Sequence, residues 1–248
     1  MTSAFRLRIL SCSAMIFGGG SLAVFGLFLF LGPFRVADMA MTEREKLWFD
    51  AGLSLLFFVQ HSLMVRQFFR RKMGKFIPEY AYPAFYALAS GIVLLGVVIF
   101  WQTSDRVYVQ ASGLFYGLLR ILFLLSVLGF FWASADLEYF DPFGHKTVSA
   151  YLQSRACRPP VFTVRGIYKK IRHPFYFFTL VMIWTSPRLS ADRLLFNILW
   201  SLWIFAGAIG EERDLVRVFR EQYRAYQQKT GMLIPLLFLH SDRKNTKK

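Results

Sequence analysis

The N-terminal part of the chain contains a run of 26 residues, positions 9 to 34, without Asp, Glu, Lys or Arg. About 20 apolar residues are enough for a helix to cross the roughly 30 Å hydrocarbon core of a bilayer. A secretory signal has an apolar region of only about 7 to 15 residues, so we expect this segment to be a retained transmembrane helix. Five further apolar stretches follow, at 47–65, 82–101, 111–135, 175–186 and 194–210.

This pattern predicts an all-α fold, a polytopic membrane helix bundle of five to six transmembrane helices with a cytoplasmic C-terminal amphipathic helix. The composition agrees, since 55% of the residues are hydrophobic and only 18% are charged, against about a quarter charged in an ordinary soluble domain. The stretch 175–186 is short and lies between Pro174 and Pro187. It either extends back through the basic segment before it or forms one arm of a hairpin with the sixth stretch. We expect both arms to cross the membrane or neither.

The net charge of +15 is distributed unevenly. Segments that alternate along the predicted spans hold 23 Lys and Arg on one side and 6 on the other, and Arg120 lies within a span. The positive-inside rule therefore places both termini in the cytoplasm, which in a bacterium means a protein of the inner membrane. This bias accounts for the basic character, and we expect the lipid bilayer, not a nucleic acid, as the partner of these charges.

A few polar residues interrupt the predicted spans. Asp50 lies close enough to a helix end to reach the interface, whereas Arg120 lies well inside its span, where charge is costly without a partner. Gln60 and His61 are candidates for the substrate site, and hydrogen bonding between helices is the competing interpretation.

Other features bound the domain organisation and the chemistry. We predict one membrane domain over residues 1–240, with a cofactor-binding part at about 153–235, and a polar tail at 241–248. Cys12 and Cys157 have no metal-ligand spacing and fall where a disulfide is not expected. The four histidines are scattered along the chain, so we predict no metal site.

A cationic and aromatic motif precedes the fifth stretch, and its residues 166–176 read GIYKKIRHPFY. Pro174 is suited to the first position of a helix, whose free N–H groups favour negative charge. Topology signals explain Lys169 and Lys170, but they explain Arg172 and His173 less well.

Two acidic residues, Glu211 and Glu212, follow the sixth stretch directly. Carboxylates at a cytoplasmic membrane boundary gain nothing from anionic lipid, so a bound cation or a basic neighbour is expected beside them. We predict that they open an amphipathic helix with apolar and aromatic residues on one face, namely Leu215, Phe219, Tyr223 and Tyr226.

These motifs, GxYxxxRHPxY at 166–176 and EExxLxxxFxxxYxxY at 211–226, followed by LIP ending at Pro235, resemble the integral-membrane methyltransferases related to isoprenylcysteine carboxyl methyltransferase. Within that superfamily the chain is most similar to the methanethiol S-methyltransferases. The narrower likeness also uses residues 60–62, 140–144 and 211–215, and the resemblance covers about residues 50 to 235.

The resemblance implies S-adenosyl-L-methionine as cofactor, bound at the cytoplasmic face. The cofactor-binding residues that it implies are Tyr168, His173, Pro174, Phe175, Tyr176, Glu211 and Glu212, with Gln153 and the stretch 160–163 as looser candidates. The implied catalytic residues are His173, Glu211 and Arg172. A carboxylate suits the cofactor's ammonium and sulfonium, while Arg172 or helix N–H groups could hold its carboxylate.

One departure bears on the methyl acceptor. The prenylcysteine enzymes have an Arg four residues before the first Glu, at the site for the substrate carboxylate, and this chain has Gly207 there. A small thiol is therefore the expected substrate, with methanethiol converted to dimethyl sulfide and hydrogen sulfide as a second acceptor. His173 could act as the base or as a cofactor contact. The alternatives are a methyltransferase for a lipid-modified or other apolar acceptor, a membrane transporter, and a nucleotide-dependent membrane reductase.

Overall fold

The computed structural model describes residues 3–137, 140–155 and 162–234. Within them, five helices are long and apolar enough to cross a membrane. The all-α polytopic prediction is confirmed, and the chain is a multi-pass integral membrane protein. Cys157, His240, Pro235, the tail 241–248 and part of the stretch 160–163 lie outside the described residues. The helices are α1 (Ser3–Ser13), a π-helical segment (Ala14–Gly19), α2 (Gly20–Leu31), α3 (Glu43–Val65), α4 (Gln67–Met73), α5 (Tyr82–Phe100), α6 (Gly113–Ala135), α7 (His145–Leu152), a 3₁₀ turn (Gly166–Lys169), α8 (Pro174–Trp184), α9 (Ala191–Phe219) and α10 (Glu221–Lys229).

The helix boundaries follow from local chemistry. α3 begins four residues before the predicted stretch because Thr42 and Glu45 form a capping box, in which each side chain bonds the backbone N–H of the other. The first span is one helical rod, Ala4–Leu31, assembled from α1, the π-helical segment and α2. Gly18 in that segment is buried, and a Cβ there would lie 3.3 Å from the Ala87 carbonyl oxygen. A glycine suits this close approach to α5, because a Cβ would make a tighter contact than side chains usually do.

The described chain separates into two compact units. Unit 1 consists of Met1–Arg120, Phe140–Pro159 and Ser186–Trp203, and unit 2 of Ile121–Tyr139, Pro160–Thr185 and Ile204–Lys248. The helix α9 contributes residues to both. The core of unit 1 is mainly aromatic, with ring contacts among Phe25, Phe28, Phe57, Phe58, Trp101, Phe196 and Trp200.

Segments from different parts of the chain meet at the two ends of α5 within unit 1. In its first two turns, Ala84 and Ala87 pack with Leu7, Ala14 and Val148. Beyond its last turn, the Gln102 side chain donates to the carbonyl oxygen of Ala37 at 2.7 Å. The predicted alternation of loops agrees with this, because the loops that meet at each end belong to the same side in the Lys and Arg count.

A short antiparallel sheet closes the second of these ends. Strand β1 (Val107–Gln110) pairs with β2 (Arg188–Ser190), and the register sets Gln110 opposite Arg188. Neither strand is predicted by the hydropathy pattern, because each has fewer than five residues. The pairing brings the segment after α8 to the same end of unit 1 as the loop between α5 and α6.

The two apolar stretches near the C-terminus differ in length. α8 has 11 residues, about 16 Å at 1.5 Å per residue, so this helix alone is too short to cross a roughly 30 Å core. α9 has 29 residues and continues through both glutamates. The prediction that Glu211 and Glu212 open a new helix is wrong. Residues 211–219 are mostly good helix formers, and the break comes at Arg220, whose φ of 48° is left-handed.

Candidate functional site

The turn before α8 in unit 2 is fixed by one glycine. Gly166 has a φ of 48°, and a Cβ at this position would collide with the Asp136 carboxylate. That carboxylate follows the end of α6 and accepts a 2.8 Å hydrogen bond from the backbone N–H of Ile167. The glycine that begins the sequence motif is therefore required by both backbone conformation and space.

The next residues of the motif pair with the segment after α10. The backbone N–H of Arg172 donates to the Gly231 carbonyl at 2.9 Å, and the N–H of His173 donates to the Met232 carbonyl at 3.0 Å. Ile171 and Gly231 form a parallel bridge. These bonds hold the two catalytic candidates of the motif against the end of α10, and α8 begins at the next residue, Pro174, as predicted.

The Arg172 side chain is nearly buried and makes three hydrogen bonds within unit 2. Its Nε lies 2.6 Å from Oε1 of Glu212, and the side chains are 10% and 13% exposed. Its Nη1 donates to the carbonyl oxygens of Gln227, at 3.1 Å, and of Thr230. Gln227 lies in the last turn of α10 and Thr230 directly follows it, where carbonyl groups lack intrahelical partners. In this structure Arg172 closes the end of α10 and holds Glu212.

His173 lies between two carboxylates. Its side chain is 4% exposed. Nε2 is 3.2 Å from Glu212 Oε1 and Nδ1 is 3.7 Å from Glu211 Oε2. The ring stacks on Tyr176, one turn into α8, with centroids 5.2 Å apart. The imidazole is therefore held by packing on one face and by acidic groups at both nitrogens.

The adjacent glutamates have different surroundings. Glu212 accepts from Arg172 and also from Gln227 Nε2, at 2.8 Å, so its carboxylate is used within the fold. The Glu211 side chain is 48% exposed and accepts a 2.7 Å hydrogen bond from the Tyr176 hydroxyl. Glu211 is the one of the pair whose carboxylate is open to a cationic ligand.

Three tyrosines of unit 2 are held in their neutral form by burial. Burial raises the pKa of the Tyr226 phenol to about 12, and it also raises the pKa values of Tyr168 and Tyr223. The Tyr226 hydroxyl donates to the backbone carbonyl of Tyr168. The buried hydroxyl of Tyr168 has no hydrogen-bond partner among the residues that the structure describes. A buried polar group of this kind has capacity for a ligand.

The remaining candidates have other surroundings. Pro174 is buried at the first turn of α8, and Phe175 packs edge-on against Phe130 at 4.7 Å, so both contribute to the packing of unit 2. Gln153 belongs to unit 1, where its amide donates to Ser149 Oγ at 2.9 Å.

Gln60 and His61 also belong to unit 1. A His61 ring nitrogen lies 2.7 Å from the Tyr86 hydroxyl, and Gln60 Nε2 donates to Ser90 Oγ at 3.3 Å. These bonds join α3 to α5, as the interpretation of hydrogen bonding between helices requires. The Gln60 Oε1 atom is buried without a partner in the described part of the chain.

Sequence reasoning missed Gln227 and Asp136. Gln227 could have been found, because it lies four residues after Tyr223 and therefore on the same face of an amphipathic helix. Asp136 carries no such signal, since its partner Ile167 is 31 residues away. Among the described residues, no group of three or more His, Cys, Asp or Glu could hold a metal ion.

The sequence that forms this site matches a known protein family. The NnrU protein family matches residues 51–231. The chain belongs to the NnrU family. The match covers both motifs and every candidate site residue. No solved structure matches the chain.

Several relatives of this NnrU-family chain are named methanethiol S-methyltransferase. It is 38% identical over 187 residues to a methanethiol S-methyltransferase of Pseudomonas sp., covering 75% of this chain and 72% of the relative. It is 35% identical over 189 residues to the methanethiol S-methyltransferase of Pseudomonas deceptionensis, covering 76% and 72%. A more distant relative, nurim of Bos taurus, is 28% identical over 187 residues, covering 70% and 69%. The resemblance drawn from the motifs is confirmed.

Proposed function

We propose that this chain is an S-adenosylmethionine-dependent methyltransferase of small thiols, which converts methanethiol to dimethyl sulfide and accepts hydrogen sulfide as a second substrate. The observation that carries the proposal is the half-exposed Glu211 carboxylate held beside His173 and Tyr176. The printed names of the Pseudomonas relatives support the choice of methanethiol.

The residues of unit 2 fit the cofactor chemically. S-adenosylmethionine carries two cationic groups, a sulfonium and an ammonium. Glu211 offers a carboxylate that is half exposed and can therefore pair with one of them. The Tyr168 hydroxyl, which has no hydrogen-bond partner among the described residues, offers a further polar contact. In this proposal Glu211, Tyr168 and Tyr176 hold the cofactor, and Arg172 is a positioning residue because its bonds go to Glu212 and to α10.

When bound, the cofactor supplies an electrophilic methyl group, which a thiolate takes by forming a carbon–sulfur bond as the carbon–sulfonium bond breaks. The chain must provide a place for the thiol proton. His173 can accept it at whichever ring nitrogen is unprotonated, and the carboxylate beside that nitrogen then stabilises the charge. His173 also fits a second role, as a cofactor contact. Exclusion of water by the aromatic surroundings favours methyl transfer over side reactions.

We place this chemistry at the cytoplasmic face of the membrane. The bias of 23 to 6 Lys and Arg supports the orientation. The gathering of alternate loops at the two ends of α5 supports the number of crossings.

A small acceptor suits the chain's departure from the prenylcysteine pattern. Position 207 is a glycine, and a Cβ there would meet open space among the described residues. Without a guanidinium at this point of α9, a substrate carboxylate lacks the partner that it has in the prenylcysteine enzymes. Gln60 and His61 are proposed to line the acceptor site.

The test is expression of the full chain in a host without this activity, with methanethiol added and dimethyl sulfide measured in the headspace. We expect product well above an empty-vector control, with the protein found in the membrane fraction. Binding of S-adenosylmethionine to the purified protein is measured in parallel.

The two measurements separate the alternatives. Cofactor binding without dimethyl sulfide would contradict the thiol acceptor and favour an apolar or lipid-modified one. Absence of cofactor binding would contradict the methyltransferase proposal as a whole and favour the transporter and reductase interpretations. A His173→Gln variant that keeps cofactor affinity but loses turnover would assign the base role. Equal loss of both would assign the cofactor contact.

A further inference from the structure

The end of unit 1 where α2 stops contains a cavity of about 340 Å³ with a concentrated positive charge. Four arginines line it, Arg35, Arg120, Arg188 and Arg193, and no acidic side chain is among the described residues that line it. Only seven Lys and Arg lie outside the segments predicted to be cytoplasmic. More than half of these charges therefore converge on one cavity.

Two of the guanidinium groups are held in place by aromatic rings and by α2. Arg120 lies 4.3 Å from the ring centroid of Phe30 and donates to the Phe30 carbonyl oxygen. Arg193 is 3% exposed, donates to the Leu29 carbonyl at 3.2 Å and lies 5.4 Å from the ring of Phe196. A guanidinium has five N–H donors. The bond to Phe30 uses one of those of Arg120, so capacity remains toward the cavity.

Capping of α2 does not explain the other two arginines. Arg35 has a φ of 53°, a left-handed conformation that is uncommon for a long side chain and costs free energy. Arg188 is exposed on β2, opposite Gln110. Like charges in a shared cavity repel, so their convergence is unfavourable without a counter-charge.

Asp192, next to Arg193, offsets part of the charge of that guanidinium, whereas Arg35, Arg120 and Arg188 meet no acidic side chain among the described residues that line the cavity. Asp192 is fully buried, and its carboxylate accepts from Trp101, Ser104 and Ser190. Asp38 and Asp105 line an adjoining cavity that also touches Arg35.

A polar atom in the wall adds an independent observation. The Thr103 hydroxyl oxygen is buried and has no hydrogen-bond partner in the described part of the chain, and Thr103 lines the same cavity. A hydroxyl can donate to an anion's oxygen.

We propose that this cavity is a binding site for a phosphate group, in the form of an anionic phospholipid headgroup. Guanidinium groups match phosphate oxygens with paired hydrogen bonds. The lipid form is favoured because apolar surface adjoins the cavity at the end of the span, where Leu31 is 63% exposed and Leu118 on α6 is 53% exposed. Acyl chains can cover that surface while the phosphate enters the cavity.

The test uses the full-length protein, stripped of lipid in neutral detergent. Retention of phosphatidylglycerol is compared with that of phosphatidylcholine by native mass spectrometry. We expect wild type to prefer the anionic lipid and the Arg35→Gln/Arg188→Gln variant to bind it about tenfold more weakly, the scale of one lost charge-assisted hydrogen bond. The control variant, Arg44→Gln/Arg106→Gln, removes the same charge from exposed positions that do not line the cavity, and it should bind as wild type does.

A second arm distinguishes the source of the phosphate. Inorganic phosphate is titrated against chloride at equal ionic strength, with thermal unfolding as the readout. Stabilisation by phosphate that the Arg35→Gln/Arg188→Gln variant loses would support the site with a free anion as its ligand, while lipid selectivity without such stabilisation supports the headgroup. The proposal is overturned if wild type retains both lipids equally and phosphate gives no shift, or if the control variant loses as much binding as the Arg35→Gln/Arg188→Gln variant does. Neither arm depends on methyl transfer.

Discussion

The two charged clusters of this protein are built in opposite ways. In unit 2 the guanidinium of Arg172 and the imidazole of His173 both lie close to Glu212, and Glu211 is the acidic group left half exposed. In unit 1 four arginines line a cavity without an acidic side chain among its described residues. The first arrangement suits a cationic ligand and the second an anionic one. The comparison teaches that the sign of the charge left over, more than the density of charge, indicates what a cluster can bind.

The sharpest way to break this comparison is to remove one arginine from each cluster. Arg172→Met leaves Glu212 without its main partner and the end of α10 uncapped, and removal of one member of a nearly buried ion pair costs about 3–5 kcal/mol. Arg188→Met removes an exposed charge from a region of like charge and should change stability by less than about 1 kcal/mol. Thermal unfolding in detergent measures both. Equal losses would contradict the distinction between paired and unpaired arginines.

The next test concerns the half-exposed carboxylate. Glu211→Gln keeps an oxygen that can accept from the Tyr176 hydroxyl but removes the negative charge, so methyl transfer should fall by about 100-fold. Cofactor affinity should weaken in the same variant while the unfolding temperature stays near that of wild type. The matched control is Glu221→Gln, since Glu221 is exposed and pairs with Arg224 on one face of α10. Similar activity in the two variants would remove Glu211 from the site.

The division of roles between these glutamates marks the limit of sequence reasoning here. His173, Glu211 and Glu212, which the motifs single out, lie close together in the structure. Each motif lies next to a strong hydropathy boundary along the chain, and for this reason the sequence shows them. Adjacent helical residues point about 100° apart, so which carboxylate is used depends on the tertiary partners Arg172 and Gln227, and the sequence does not order these.

The same limit applies to the fold. Long uncharged runs predicted all five long helices of the described residues, since burial of backbone in lipid demands helices of sufficient length. The continuation of α9 beyond Gly210 was missed because hydropathy reports where a segment turns polar, not where its hydrogen bonding stops. The helix breaks at Arg220 because of the backbone conformation of this one residue, and a hydropathy pattern does not predict such a conformation.

The third prediction, with a smaller expected loss of stability, concerns the backbone conformation at Gly166. Gly166→Ala forces a left-handed conformation on alanine and a collision with the Asp136 carboxylate, so we expect a loss of about 1–3 kcal/mol in stability. Gly207→Ala is the matched control, because a Cβ at that position of α9 meets no described atom within 4 Å. This change should be neutral or stabilising. Unfolding of the two variants in the same detergent makes the comparison. A Gly166→Ala protein as stable as the Gly207→Ala protein would show that the turn is not constrained as the structure indicates.

The smallest expected effect concerns the buried tyrosines of unit 2 and the pH dependence of stability. Burial raises the pKa of Tyr226 from 10.0 to about 12 in the folded protein, so the folded state holds the phenolic proton more tightly than the unfolded state does. The stability from this group is fully present below about pH 10 and is lost as pH rises through about 12. Tyr226→Phe should lower the free energy of unfolding by about 1 kcal/mol at neutral pH, because the hydrogen bond to the Tyr168 carbonyl is lost. The stability of this variant should fall less steeply above pH 10 than that of wild type. Unfolding measured at neutral and alkaline pH checks this. A Tyr226→Phe variant with the same alkaline slope as wild type would assign the pH dependence to other groups, of which the buried Tyr168 and Tyr223 share the upward shift in pKa.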